Sequence, residues 1–417
     1  MGQASPSRPA PRKARHRPRI GLALAAGGPL GGLYEVGALK ALEECVEGLD
    51  LNDLHVYVGV SAGAFMAAHL VNGRTPTDLV RGLATEEDGG PPFDPSVLFM
   101  PAYAHWLKSS AKLPGLLADA LFQVGKSPEE QTLFHSLARL GRALPLGLFD
   151  NAALARYLHK SFSRGGRTDD FRKLRHKLLV VSTDLENGTA VVFGDKGLDH
   201  VPISKAVQAS TALPGMYLPV EIEGRMCVDG VLLKTLHASV GLEHGAELLI
   251  CVNPLVPVDA LHGEVLEKAG PGAIQRGGLP SVLSQTLRTL IYSRMKVGMA
   301  RYRTTFPDAD IAFFEPPKEE SRLFFSNIFS FAARREVCEI GYRATRATLR
   351  KREAQIGAKL ARHGLSLRMD VINDESRSVW DSIDALPAPG APVADRLGQA
   401  LADLERDLAP PKRRAAS

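Results

Sequence analysis

The hydrophobic pattern of the first 71 residues alternates between two periodicities. Two short apolar runs, Ile20 to Ala25 and His55 to Val58, are rich in aliphatic, β-branched or aromatic side chains and predict buried strands. After the first run, apolar residues such as Val36 and Leu39 return at helical spacing, and the small and apolar residues of Ala62 to Val71 predict a second helix. The order strand, helix, strand, helix predicts an α/β fold with a parallel sheet.

Further along the chain, the pattern separates an α/β part from a helical part. We predict an α/β domain over residues 19–260 and a mainly helical C-terminal extension over 261–417, which includes a late strand in DADIAFFEPP and a proline-rich linker near 385–393. Residues 85–165 exceed what a minimal α/β core needs. Their aromatic residues favour packed core, although a lid over a pocket fits the same composition.

Ser61 lies between the second predicted strand and the second predicted helix, in the frame Gly59-Val60-Ser61-Ala62-Gly63. Glycine at the first and last positions lets strand and helix approach closely, which leaves the serine hydroxyl exposed at a helix N-terminus. There the helix dipole and free N–H groups favour a developing negative charge. Because a frame with three fixed positions recurs by chance, it indicates a serine nucleophile and an ordinary glycine-bearing turn about equally.

A second glycine cluster follows the first predicted strand, in the segment AAGGPLGG at residues 25–32. Gly27 and Gly28 can bring backbone N–H groups close to a ligand oxygen. The carboxyl ends of parallel strands face the same crevice, so we expect this loop and Ser61 to share one site. A dinucleotide-binding fingerprint is disfavoured, because Pro29 stands where its spacing requires glycine.

The basic N-terminal stretch and the apolar run IGLALAAGG together have the outline of a secretory signal. Glycine and proline interrupt the apolar run quickly, however, and cleavage there would remove the strand and the loop just described. We therefore predict a cytoplasmic protein. The four cysteines fit a reducing compartment, because they are scattered without CxxC spacing and indicate neither a zinc site nor a disulfide framework.

Asp229 is the candidate general base. It follows the short predicted strand Met226 to Val228 and precedes Gly230. An aspartate in this position is often only a turn former or a helix cap. With a candidate nucleophile and a donor loop present, Asp229 is also the best-placed residue to accept the serine proton.

A histidine-dependent triad is the alternative. The α/β-hydrolases keep the order serine, acid, histidine, and four histidines follow Asp229: His237, His244, His262 and His363. Such hydrolases normally have several strands before the nucleophile, whereas only one clear strand precedes the strand that leads to Ser61 here. We expect His237 to be a surface or packing residue.

Five motifs in order, AAGGPLGG, GVSAG, STDLENG, ASTALPGMYLPV and VDG, resemble the bacterial branch of the patatin-like phospholipase family. The resemblance covers roughly residues 19–260, which is more than half of the chain. Five ordered motifs are far more specific than any one of them. The resemblance implies a three-layer α/β/α fold with a mostly parallel central sheet, to which this chain adds a helical C-terminal region.

The resemblance also implies a site and an activity. Ser61 would be the nucleophile and Asp229 the base of a dyad without histidine, and the N–H groups of Gly27, Gly28 and Ala62 would form the oxyanion hole. The implied reaction is hydrolysis of carboxylic ester bonds of lipids, with phospholipids or lysophospholipids as substrates. No cofactor or metal is implied, and no acidic calcium loop accompanies the motifs. A general esterase or thioesterase with the same dyad and a catalytically silent lipid-binding protein are the alternatives.

The chain departs from the family pattern at two places. Many members have arginine or lysine after the glycine loop, where this chain has Leu30 or Gly31 depending on the alignment. Alignment on the strand makes residues 26–28 the donor run, whereas alignment on the helix puts Pro29, which has no N–H, in the third donor place. Both alignments keep the first two glycines. Val231 stands where the family usually has glycine or alanine, which alters the acyl pocket and leaves the carboxylate.

The positive charge of the chain is concentrated at its N-terminus. The formal net charge is +5 at pH 7, and the first predicted strand is preceded by six basic residues: Arg8, Arg12, Lys13, Arg15, Arg17 and Arg19. Residues 1–18 predict a disordered basic tail that is either solvated or in contact with anionic lipid head groups. No nucleic-acid recognition fold accompanies this tail, so we predict no specific nucleic-acid partner.

Residues 280–305 alternate leucines with basic residues. A helix of this kind either lies on a membrane surface or packs its apolar face on the protein. No apolar stretch of the sequence reaches the ~18 residues of a membrane span. We therefore predict peripheral membrane contact at most, and the sequence leaves the oligomeric state open.

Overall fold

A computed structural model describes residues 17–84, 93–111, 145–256, 272–276, 278–317 and 329–384. Most of the predicted basic tail, the predicted linker and part of the predicted insert lie outside these residues. The strands are β1 (Ile20–Leu24), β2 (Val46–Glu47), β3 (Val56–Gly59), β4 (Gly147–Phe149), β5 (Lys177–Asp184), β6 (Thr189–Phe193), β7 (Gly215–Tyr217), β8 (Val220–Ile222), β9 (Arg225–Asp229), β10 (Leu248–Val252), β11 (Asp310–Phe314) and β12 (Ser366–Leu367).

Helices connect and follow these strands. They are α1 (Gly28–Cys45), α2 (Ala62–Val71), α3 (Pro76–Ala84), α4 (Tyr103–Ser110), α5 (Ala152–Phe162), α6 (Ile203–Ser210), α7 (Ala238–Glu243), α8 (Ala273–Arg276), α9 (Gly278–Thr305), α10 (Phe331–Lys351), α11 (Glu353–Arg362), α12 (Met369–Asn373) and α13 (Asp381–Asp384).

The central sheet has the strand order β11-β10-β1-β3-β5-β9-β8, and β6 also pairs with β5. Five neighbouring strands, from β11 to β5, run parallel to one another. The strands β6, β8 and β9 pair antiparallel. Every residue of β1 and of β10 is buried, as expected for parallel strands that are covered on both faces. The chain therefore has the predicted α/β fold with a mostly parallel central sheet.

Helices cover both faces of this sheet. Successive side chains of a strand point to opposite faces. Leu22, Leu24 and Tyr57 belong to a core cluster that also contains residues of α1, α2 and α10. Ala23 and Val58 belong to a second cluster, with residues of α7 and α9. Three layers, helix, sheet and helix, result.

The C-terminal part of the chain is joined closely to this sheet. Strand β11 pairs with β10 along five residues, so the sheet continues beyond residue 260, where the predicted α/β domain ends. Helix α10 crosses α1 at very short range. A Cβ atom at Gly37 would clash with the carbonyl group of Cys338, and one at Gly341 would clash with the carbonyl group of Tyr34. The two glycines let the backbones touch.

Two expectations from composition can be compared with the structure. The four cysteines, Cys45, Cys227, Cys251 and Cys338, are all buried free thiols. In the part of the chain that the structure describes, no helix combines the length and the apolar character that crossing a membrane requires.

Candidate active site

Ser61 occupies the turn between β3 and α2 in a strained backbone conformation. Its φ of 54° and ψ of −120° lie in a region that residues with a side chain rarely adopt. The Gly63 N–H donates to the carbonyl of Val60 at 2.9 Å, and the Ser61 carbonyl accepts from the N–H of Ala64 at 3.0 Å. These bonds hold the Ser61 side chain at the N-terminus of α2, where it is 7% exposed.

The glycines of the Ser61 turn are required by close packing. A Cβ atom at Gly63 would clash with the carbonyl of Leu24 at the end of β1. A Cβ atom at Gly59 would clash with the backbone of Ala64 in the first turn of α2. The two glycines of the GxSxG frame are therefore required by the close packing of β3, α2 and β1.

Strand β5 brings Asp229 to Ser61. In the pairing of β3 with β5, Gly59 lies opposite Val180. In the pairing of β9 with β5, Asp229 lies opposite Ser182, two residues farther along. Ser61 is also two residues beyond Gly59, so the nucleophile turn and the end of β9 meet at the same level of β5. Residues that are far apart in the sequence thus share one edge of the sheet.

The Asp229 carboxyl is buried, at 2% exposure, and hydrogen-bonded. The N–H of Val231 donates to its Oδ1 at 2.9 Å, so Asp229 also caps the short turn that follows β9. Burial raises the pKa of Asp229 to about 7, and the hydrogen bond from Val231 and the nearby Ser61 hydroxyl limit this rise. A carboxyl with this pKa exchanges protons readily near neutral pH.

Ser210 holds the backbone of the nucleophile, and the sequence analysis did not single it out. The fully buried Ser210 hydroxyl accepts a hydrogen bond from the Ser61 N–H at 2.9 Å and donates one to the carbonyl of Val181 at 2.6 Å. Two residues later, the Ala212 carbonyl accepts from the Asp229 N–H at 3.0 Å. The motif ASTALPG therefore positions both partners, and its presence in the sequence was the available signal.

The glycine loop lies beside Ser61 and leads into α1. The N–H of Ala26 donates to the carbonyl of Thr235 at 3.1 Å, which removes Ala26 from the candidate donors. Among the described residues, no hydrogen bond uses the N–H of Gly27, Gly28 or Ala62. Pro29 lies in the first turn of α1, where a helix does not need its N–H. The proline therefore leaves the two preceding N–H groups unchanged.

The candidate histidines are placed elsewhere. His237 is buried, its Nε2 lies 3.3 Å from the carbonyl oxygen of Gly230, and burial lowers its pKa to about 4. His244 contacts Asp195, and His363 contacts Asp310. His262 lies outside the described residues. The structure brings Ser61 and Asp229 to one pocket, and the three described histidines contact other groups.

A pocket of about 350 Å³ contains Ser61 and Asp229. Its wall is mostly glycine and apolar side chains, including Leu30, Met66 and Val231. The side chain of Val231, the departure from the family pattern, thus contributes to the wall. Within the described ranges, no three His, Cys, Asp or Glu side chains lie close enough together to hold a metal ion.

The predicted insert contributes one part of the pocket wall. Phe93 and Leu98 line the pocket, whereas the ring of Phe99 packs edge-on against Phe149 outside it. Residues 112–144 lie outside the described part of the chain. The lid stays a prediction, because the described residues of this region act as a wall.

Comparison with known proteins gives partial matches in sequence and fold. An uncharacterized NTE family protein of Mycobacterium bovis is 32% identical over 114 residues, and the aligned part covers 27% of this chain and 27% of the relative. VipD from Legionella pneumophila has 15% identity and a TM-score of 0.36, with coverage of 80% of this chain and 67% of that chain. The type III effector ExoU has 14% identity and a TM-score of 0.33, with coverage of 94% and 60%.

The family assignment rests on a longer match. The family model for patatin-like phospholipases matches residues 22–240, just over half of the chain. The matched segment contains the glycine loop, Ser61, the ASTALPG motif and Asp229. Therefore, the chain belongs to the patatin-like phospholipase family, and this membership supports hydrolysis of lipid esters in general.

Proposed function

We propose that the protein is a serine acyl hydrolase that cleaves carboxylic ester bonds of lipids, with phospholipids or lysophospholipids as substrates. The observation that carries the proposal is that Ser61, at the N-terminus of α2, and the buried Asp229 carboxyl lie in the wall of the same apolar pocket. A proton acceptor beside a nucleophilic hydroxyl is what acyl transfer requires. Family membership supports a lipid ester as the substrate.

In the proposed reaction, Asp229 first accepts a proton and then donates it. The Ser61 oxygen attacks the ester carbonyl carbon as its proton passes to Asp229, and Asp229 then gives that proton to the departing alcohol. A pKa of about 7 suits a group that must accept and return a proton at neutral pH. Water hydrolyses the acyl-enzyme with Asp229 again as the base, which restores the serine hydroxyl.

The carbonyl oxygen becomes negative during each attack. We propose that the N–H groups of Gly27, Gly28 and Ala62 stabilise this charge, since they flank the same pocket and no other described group uses them. Ala62 begins α2, so the helix dipole adds to its effect. Loss of one such donor typically lowers turnover by about 10²–10³.

Labelling by a fluorophosphonate probe tests the nucleophile. The probe reacts covalently with an activated serine, so wild-type protein should be labelled and Ser61→Ala should not. Ser163→Ala is the matched control, because Ser163 is exposed and lies outside the pocket lining. Persistent labelling of Ser61→Ala would place the nucleophile elsewhere, and an unlabelled wild type would favour a catalytically silent lipid-binding protein.

A panel of esters separates the remaining alternatives. Mass spectrometry of the products should show hydrolysis of phospholipids or lysophospholipids by wild-type protein and none by Ser61→Ala. Turnover confined to water-soluble esters or acyl thioesters would instead indicate a general esterase or a thioesterase with the same dyad.

We also propose peripheral contact with an anionic membrane surface through the outer face of α9. Leu290 and Val297 are 59% and 70% exposed, and Arg301 is exposed as well. Positions separated by seven and four residues share one face of a helix, so this face presents two apolar side chains and a cation to the solvent. Ile291 and Tyr292, on the other face, are buried.

Liposome co-sedimentation tests this contact. Vesicles that contain phosphatidylglycerol should retain wild-type protein, and the double substitution Leu290→Ser and Val297→Ser should reduce the bound fraction severalfold. Leu185→Ser is the matched control, because Leu185 is 50% exposed but lies after β5. Equal binding of the double variant and wild type would exclude this face.

A further inference from the structure

The pocket beside Ser61 follows α2 and reaches two aromatic side chains. Phe65 lines it from α2, and Phe93 lines it from the predicted insert. Phe65 lies four residues after Ser61, which is about one helical turn, or about 6 Å along the axis. Helical side chains lean back toward the N-terminus, so the ring of Phe65 points toward the Ser61 turn.

The two rings belong to a packed aromatic group. The centroids of Phe65 and Phe93 are 5.6 Å apart, and the rings meet edge-on. Tyr157 on α5 lies 5.3 Å from Phe93 and 6.4 Å from Phe65. Tyr157 is not among the pocket residues and packs on the core behind them. Because the three rings support one another, neither phenylalanine can turn aside without loss of aromatic contacts.

His69 supports Phe65 from the next turn of α2. The two ring centroids are 4.4 Å apart, and His69 in turn packs 5.1 Å from the fully buried Phe162. The His69 Nδ1 lies 2.8 Å from the carbonyl oxygen of Phe65. Burial lowers the pKa of His69 to about 3, so this ring is uncharged at neutral pH. An apolar support of this kind keeps Phe65 in place.

The backbone of Phe93 is held on both sides. Its N–H donates to the carbonyl of Gly82 in α3 at 3.1 Å. Its carbonyl accepts from the Nη1 of Arg334 on α10 at 3.3 Å, and the same nitrogen donates to the carbonyl of Leu83 at 3.3 Å. Arg334 is 3% exposed, so these bonds are shielded from water. The position of the Phe93 ring is therefore fixed by α3 and α10.

An acyl group attached to Ser61 would lie on the α2 side of the pocket. In an acyl-enzyme the acyl carbon is bonded to the serine oxygen, so the chain starts at the N-terminus of α2. Ala62 is small, and Phe65 is the first large pocket residue of this helix. The opposite side of the pocket is lined by Val231 and, from α9, by Ile291 and Arg288.

The pocket is small for a lipid. Its volume of about 350 Å³ lies near the lower end of the roughly 300–1,000 Å³ that is usual for ligand pockets. The reacting carbonyl, the alcohol and the acyl chain share this volume. A long acyl chain is therefore not accommodated whole.

We infer that Phe65 and Phe93 limit the length of the acyl chain, so that the protein prefers esters of short and medium chains, and that Phe93 sets the limit. The inference rests on the proposed ester hydrolysis at Ser61 and adds the acyl-chain preference. Each methylene that leaves water for the apolar pocket raises kcat/KM by up to about fourfold. A methylene beyond the two rings stays in water or forces the rings apart, so it adds no further gain.

A series of p-nitrophenyl esters tests the inference. The butanoyl, hexanoyl, octanoyl, decanoyl and dodecanoyl esters are assayed as monomers, so that binding to lipid surfaces does not contribute. For wild-type protein, kcat/KM should rise to the hexanoyl or octanoyl ester and then level off or fall. Phe93→Ala should move the maximum to a longer chain and raise the ratio of the dodecanoyl to the hexanoyl value by about tenfold.

Phe99→Ala is the matched control. Phe93 and Phe99 are both half-buried in the predicted insert, but the ring of Phe99 packs on Phe149 outside the pocket. This variant should keep the wild-type profile. A wild-type kcat/KM that rises through the dodecanoyl ester, or an unchanged profile in Phe93→Ala, would overturn the inference. Either result would leave ester hydrolysis intact, whereas full activity of Ser61→Ala on every ester would overturn the proposed function itself.

Inhibition of wild-type protein gives a measurement that does not depend on the folding of a variant. Alkylboronic acids bind reversibly to serine nucleophiles and place their chain where the acyl chain lies. Their affinity should increase by up to about fourfold per methylene and stop increasing at the same length as kcat/KM. An affinity that increases steadily through the dodecyl compound would contradict a limit set by the two rings.

Discussion

Two buried carboxyl groups, Asp229 and Glu35, both have raised pKa values but differ in their surroundings. Asp229 ends β9, lines the pocket beside Ser61 and accepts a hydrogen bond from the Val231 N–H. Glu35 is fully buried within α1 and is not among the pocket residues. Neither of its oxygens has a well-formed hydrogen bond. Burial raises its pKa well above the usual range, and the nearby Ala25 N–H offsets only part of that rise.

A raised pKa alone does not give a carboxyl group a role in catalysis. Desolvation is the largest cause of the shift in both carboxyls, because each loses contact with water on folding. Only Asp229 has a hydroxyl group beside it and a cavity through which an ester can arrive. A perturbed pKa therefore identifies a candidate, and the neighbours decide what that candidate can do.

Asp229→Asn should give the largest loss of activity. Asparagine keeps the shape and a hydrogen-bonding oxygen but cannot accept the serine proton, so kcat/KM for a p-nitrophenyl ester should fall by about a thousandfold or more. The same substitution should increase the stability of the folded protein at pH 8. The raised pKa means that the contribution of Asp229 to stability is present below pH 3.8 and is lost as pH rises through 7.

Thermal unfolding at pH 8 checks that sign. Asp229→Asn should unfold at a higher temperature than wild-type protein, because it removes a buried charge. A variant that keeps more than a tenth of wild-type activity, or that loses stability at pH 8, would contradict the assigned role.

A change of pH should have the second-largest effect on activity. Asp229 must be ionised to accept a proton, so kcat/KM should fall tenfold per unit below a pKa of about 7. Activity at pH 5 should be about a hundredfold lower than at pH 8. Glu35→Gln should show the same acidic limb, since Glu35 has no contact with the reacting groups. If the acidic limb of the pH profile shifted in Glu35→Gln, ionisation of Glu35 would also control activity.

Ser210→Ala should have a smaller effect, because it leaves both reacting groups in place. The substitution removes the acceptor of the Ser61 N–H, so the strained turn loses one of its supports, and kcat should fall about tenfold. Ser204→Ala is the control: Ser204 lies on the same helix and donates to Asp169 at 2.7 Å, away from the pocket. Equal losses in the two variants would mean that Ser210 acts only through the stability of α6.

The sequence predicts the nucleophile turn better than its supports. The turn at Ser61 requires glycine at two fixed positions, Gly59 and Gly63, so the five-residue frame makes the turn recognisable in the sequence. The placement of Asp229 depends on the register of β3 and β9 on a third strand, and local patterns do not specify which strands pair. Asp229 was predicted from its motif and from the need for a base.

Other residues of the site cannot be recognised from the pattern of a single sequence. Ser210 is an ordinary buried serine unless its two partners are known, and Arg288 is one of several basic residues in an amphipathic helix. Strand β11 reaches the sheet after a connection of more than fifty residues from β10, so its hydrophobic run predicts a strand but not its neighbour. The positions of these residues depend on contacts between segments far apart in the sequence, which short patterns do not specify.

Glu35→Gln should have the smallest effect on activity and a distinct effect on stability. Turnover should stay within about threefold of wild type. Because the pKa of Glu35 is raised in the folded protein, its contribution to stability is full below pH 4.5 and declines as pH rises toward the folded value. Urea unfolding at pH 5 and pH 8 should show wild-type protein losing more stability than Glu35→Gln, by up to about 1.4 kcal/mol per pH unit. Glu353→Gln, at an exposed position on α11, should keep the wild-type slope. Identical slopes for wild type and Glu35→Gln would show that Glu35 gains a partner that accommodates its charge, and the contrast with Asp229 would then rest on the Ser61 hydroxyl alone.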